Sequence, residues 1–166
     1  MLPKLFGARF GGAAQNNIVE QVPVASADEV QQLTRELDTL RSAVRRSGSV
    51  LPGLLSSQLR QIDDLLRPLL DYVRSNGAST EQMVLLGAII NSYIPTPLQA
   101  YMAAEASEHS DDSETTKLFA EQLKVLEATA RDLDRQIRSG AIWELSVHAR
   151  FLQDKFGPSL ELEGNR

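Results

Sequence analysis

The sequence predicts an all-α protein: an antiparallel four- to five-helix bundle with coiled-coil-like seams and a flexible N-terminal segment. Three observations predict it. Apolar residues recur at steps of three and four along most of the chain. Capping patterns and Gly or Pro stops separate those runs. No stretch alternates apolar with polar residues as a half-buried strand would. The chain has 166 residues, 42% of them hydrophobic, which suits one domain with a real core. It divides into a flexible segment over 1–25, a bundle over 26–157 and a disordered tail over 158–166.

The opening residues, Met1 to Phe10, are apolar with two cations, Lys4 and Arg9. Gly11 to Asn17 then read as a spacer. Helix one is expected from Ser26, where Ser26-Ala-Asp-Glu29 has the form of a capping box. Its seam is Val30, Leu33, Leu37, Leu40 and Val44, and Gly48 ends it. Helix two is expected near Pro52, with a seam from Leu55 through Leu59, Ile62, Leu66 and Leu69 to Val73. Leu54, Leu65 and Leu70 widen its stripe, so it has neighbours on more than one side. Pro68 inside it predicts a kink, since proline removes one hydrogen bond and crowds the preceding turn.

Helix three opens at Ser79, with Gln82 in the reciprocal capping position. Met83, Leu86, Ile89, Ile90 and Tyr93 form its apolar face. Val84, Leu85 and Ala88 make it nearly apolar all round, which predicts a central helix. Pro95 and Pro97 break it, and Thr96 is expected to cap a restarted piece with Pro97 at its first position. The longest helix is expected from Ser113 to Ser139, about 40 Å at ~1.5 Å per residue. Gly140 punctuates it, Ala141 to Phe156 continues, and Gly157-Pro158 closes it.

Charge narrows the function. The formal net charge is −5, which argues against a nucleic-acid partner. Residues 28–74 and 113–156 each hold seven acids and seven bases, the interleaving of a wet helix face. The excess acid comes mainly from Glu105, Glu108, Asp111 and Asp112. Those acids lack the alternate spacing and turn glycine of a calcium loop, so they read as a solvated loop. The absence of Cys removes disulfides, thiolate zinc sites and cysteine nucleophiles.

No other motif specifies chemistry. Neither phosphate-binding glycine pattern occurs. His109 and His148 have no second ligand at metal spacing, and Ser56-Ser57 and Thr115-Thr116 stand outside any nucleophile elbow. Asp63-Asp64 and Asp132 with Asp134 lie among arginines, which predicts surface salt bridges rather than acid–base work. Trp143, the only tryptophan, reads as core at the bundle end, with a partner anchor as the alternative. Catalytic residues, cofactors and metals are therefore expected to be none.

The segment Tyr93-Ile-Pro-Thr-Pro-Leu98, with Tyr101 and a long amphipathic helix after it, resembles a known pattern. It is similar to the Y-L-P-T-T-L motif and later tyrosine of the bacterial bromochloroindolyl-phosphate-hydrolysis (XpaC-like) family. The likeness spans residues 80–156, with Pro97 where that family usually has threonine. What it implies is a helical bacterial protein. The phosphate-ester hydrolysis in the family's name brings no catalytic residue onto this chain.

The expected function is that of a non-enzymatic adapter or scaffold component. Its protein partner would be met by helix one, by the N-terminal segment, or by both. In that segment the partner-binding residues would be Leu2, Lys4, Leu5, Phe6, Arg9 and Phe10. The same residues could instead touch an anionic membrane surface or fold back on their own bundle. Helix one has the narrowest seam, so pairing with a second copy is also open. Pro3, Lys4, Gly7 and Arg9 interrupt any secretory apolar run, so a cytoplasmic location is expected, with membrane association as the alternative.

Overall fold

The computed structural model describes residues 25–156, with side chains through residue 140. Those residues form a four-helix bundle without a strand. The elements are α1 (Ala27–Arg46), α2 (Gly53–Asn76), α3 (Thr80–Ala88), α4 (Pro95–Ala103) and α5 (Glu114–Phe156). A π-helical turn (Ile89–Tyr93) joins α3 to α4, so the two act as one bent arm. A 3-10 turn (Ala106–His109) leads from that arm to α5.

The caps fall where hydrogen-bonding chemistry places them. Ser26 Oγ accepts from the Glu29 N–H at 3.2 Å. At Ser79 the full capping box forms: Ser79 Oγ accepts from the Gln82 N–H, and Gln82 Oε1 accepts from the Ser79 N–H. At Ser26 only the forward half is made. Gly77, at the end of α2, has φ 80°, a backbone angle that favours glycine.

Consecutive helices alternate in direction, yet side neighbours are not always consecutive. Helix α2 packs between α1 and α5, and the bent arm closes the other side against the same two helices. Arg41 meets Asp63 and Arg74 meets Thr34, so α1 and α2 run antiparallel. The Gln58 amide reaches the Ala120 carbonyl, and Arg138 lies 4.6 Å over the Tyr72 ring, so α2 and α5 run parallel. The short turn after α2 therefore crosses the bundle diagonally. The core is leucine-rich: Leu55, Ile62, Leu66, Leu69 and Leu70 of α2 are buried against Leu37, Leu86, Ile89, Leu123 and Leu133.

Several expectations change. The central helix is α2, not α3: Val84 is exposed and Leu85 only partly buried. Leu54 of α2 is also exposed. Pro68 lies inside α2, which continues through it, with the proline on the exposed side of the helix. Gly140 does not punctuate α5, which continues to Phe156 over 43 residues, roughly 65 Å at ~1.5 Å per residue.

The restart after helix three also differs. Helix α4 begins at Pro95, and no side chain caps it. The chain widens into the π turn just before the proline, with the Ile94 N–H reaching the Ile89 carbonyl at 3.1 Å. Pro95 and Pro97 then both fall in the first turn, where backbone N–H groups have no helical acceptor anyway.

Candidate functional site

The six residues expected to bind a partner, Leu2, Lys4, Leu5, Phe6, Arg9 and Phe10, lie outside the described residues. The side chains of Trp143 and His148 are likewise not described. Helix one does not offer its seam freely. Val30, Leu33 and Leu37 are buried in this chain's own core, while Leu40 and Val44 are partly buried against it.

Between α1 and α2 lies a cleft of about 540 Å³, with Leu37, Leu40, Val44 and Leu59 in its wall and Arg45 and Arg60 at its rim. At its edge the two helices are clamped by ions. One oxygen of Asp63 accepts from Arg41 Nε and Arg67 Nε, both at 3.0 Å, and Arg67 also reaches Asp38 at 2.7 Å. Asp63 is buried, so it is no surface ion pair. Its hydrogen bond raises the Arg67 pKa most; Asp38 adds to the rise and burial opposes it. Asp132 and Asp134 behave as expected and pair with Arg135 and Arg138 along α5.

A second polar group ties α4 to α5. The Tyr101 and Thr116 hydroxyls are 2.8 Å apart and buried. Ser113 Oγ accepts from the Thr116 N–H at 3.0 Å and so caps α5. Thr115 Oγ1 donates to Glu108 Oε2 at 2.6 Å. His109 bonds the Tyr101 carbonyl through Nε2 at 2.8 Å and packs its ring 4.9 Å from the tyrosine ring. The acidic stretch is thus partly structural: Glu108 and His109 are engaged, while Glu105, Asp111 and Asp112 remain exposed. These groups satisfy one another and hold a corner. They leave no hydroxyl set against a free base.

The feature that the fold does not use is apolar. Helix α5 buries one stripe, Phe119, Leu123, Ala130, Leu133 and Ile137, in the core. Beside it runs a second stripe that faces outward. Leu118 is 58% exposed and Val125, two turns on, is 65% exposed. Tyr93 of the π turn, 50% exposed, stands across from them. Together with Pro97 and the partly buried Leu126 they line an open depression of about 710 Å³. Tyr93 was expected on the apolar face of helix three; the π turn carries it outward instead.

Its polar members are Ser92, Thr96, Glu121 and Gln122, and the last two fall on the turn of α5 between Leu118 and Val125. An amphipathic helix laid here would find Leu118 and Val125 two turns apart, an i, i+7 spacing that a helix-in-groove contact uses, with Tyr93 across from them. No described helix is long and apolar enough to cross a membrane, and no group of three or more His, Cys, Asp or Glu side chains gathers as metal ligands among the described residues. No family model, curated protein or solved structure matches the chain.

Proposed function

We propose that this chain is a non-enzymatic helical interaction protein, an adapter or scaffold component. Its partner lays an apolar helix face across Leu118, Val125 and Tyr93. The observation that carries this reading is the second apolar stripe on α5. It is exposed, contiguous with the π turn and unnecessary to the core. Contiguous exposed apolar surface on a folded protein marks interaction sites.

The double substitution Leu118→Glu/Val125→Glu tests it. Affinity capture from the native host is expected to recover a partner with the wild-type chain and to lose it with the variant. Two buried aliphatic anchors at ~1.5 kcal/mol each are worth at least about 100-fold in Kd. Sedimentation of both proteins asks whether the partner is a second copy. Equal capture by both, phosphate release from a generic ester by the metal-supplemented chain, or vesicle binding that the variant abolishes would each contradict the proposal.

A further inference from the structure

We infer that the N-terminal segment Met1–Phe10 docks intramolecularly in the groove between α1 and the bent arm, with the Glu36 carboxylate as the anchor for its cations. The groove runs beside α1 from Glu29 to Ala43 as two joined hollows of about 300 and 280 Å³. Glu36 and Asn91 line both hollows and mark the junction. Leu33, Met83, Leu40 and Leu98 supply the apolar floor.

Glu36 is the unexplained group. Its Oε1 accepts from the Gln32 amide at 3.0 Å. Its Oε2 is shut off from water and has no hydrogen-bond partner among the described residues. A carboxylate oxygen held dry calls for a donor, and a cationic one serves best. The opposite wall has none to give: from Thr80 to Ala103 there is a single charged residue, Glu81, and no base. The groove is therefore acidic and apolar together.

The N-terminal segment has the complementary chemistry. Through residue 19 its only charged side chains are Lys4 and Arg9. Leu2, Leu5, Phe6 and Phe10 are spaced three, one and four apart, the spacing of anchors for an apolar groove. The chain also starts in the right place. Helix α1 begins at Ala27, beside the Glu29 end of the groove. The fourteen residues between Phe10 and Ala25 reach up to ~45 Å when extended, against ~21 Å of groove.

The chain has no Cys, so one label site is easily made. A nitroxide on Ala8→Cys in the full chain is read by amide relaxation. Selective broadening of the Gly87, Asn91 and Gln99 amides is expected, with Arg60 and Arg131 as unaffected controls. In Lys4→Glu/Arg9→Glu, which leaves the bundle untouched, broadening should fall to the control level. Uniform or absent broadening, broadening that survives charge reversal, or broadening seen only between labelled and unlabelled copies would overturn the inference.

Discussion

Asp63 shows how one residue can hold two helices. It is the shared acceptor for Arg41 and Arg67, and Arg67 links onward to Asp38. Its other oxygen and the Arg67 Nη2 are both buried without a hydrogen-bond partner, so the cluster is not fully satisfied. Asp63→Ala should remove about 2 kcal/mol of stability, since it strands two partly exposed guanidinium groups rather than one deep charge. Urea unfolding measures this directly; a loss within ~0.5 kcal/mol would mean that the ions contribute no more than a surface pair. The pH dependence follows from the sign of the Arg67 shift. A raised folded pKa gives stability that is fully present below the unfolded guanidinium pKa and is lost only as pH rises through the folded one. Arg67→Met should therefore cost the same stability throughout about pH 6–9. A cost that varies strongly across that window would assign the energy to another group. The identity of this hub was not legible in the sequence. Alternating Asp and Arg on a helix reads as wet surface, and only the approach of α1 makes Asp63 interior.

At the scale of elements, the sequence reading is most faithful where local chemistry decides. Ser79 and Gln82 form the capping box that their spacing predicts, and Ser26 makes the forward half of its own. It fails where tertiary packing overrides a local signal. Gly140 costs a helix only about 1 kcal/mol, and the rest of α5 carries the helix through it. The tandem prolines were legible as a break, but the π turn that absorbs them was not, because it depends on where Ile89, Ile90 and Ile94 must be buried. Pro68 is the element-scale test. It sits exposed inside an otherwise regular helix. Pro68→Ala restores an N–H donor and relieves the crowded turn, so α2 should gain about 1–3 kcal/mol. Thermal unfolding would show a higher Tm; an unchanged or lower Tm would mean that the proline ring is packed where the structure shows it exposed.

For the whole molecule, the arrangement explains which apolar surface is left over. Helix α2 has the widest buried stripe and packs against both α1 and α5. The bent arm is short, so it covers only part of α5. The stripe through Leu118 and Val125 stays uncovered beside Tyr93. The sequence did carry a trace of this face. Leu118-Phe119 and Val125-Leu126 are paired apolar positions seven apart, a stripe wider than one core contact needs. The 4-3-4-3-4 spacing of Phe119, Leu123, Leu126, Ala130, Leu133 and Ile137 picks out the inward member of each pair, as the core has it; what the sequence did not supply was that the short arm leaves the outward member uncovered.

The most direct test sets two variants of α5 side by side in chemical denaturation. Leu118→Glu/Val125→Glu should unfold within ~0.5 kcal/mol of wild type, as surface substitutions do. Leu123→Glu, at a fully buried position, should lose more than about 4 kcal/mol or fail to fold. Comparable damage from both would contradict the division of α5 into a core stripe and a free one, and the proposed docking face would go with it.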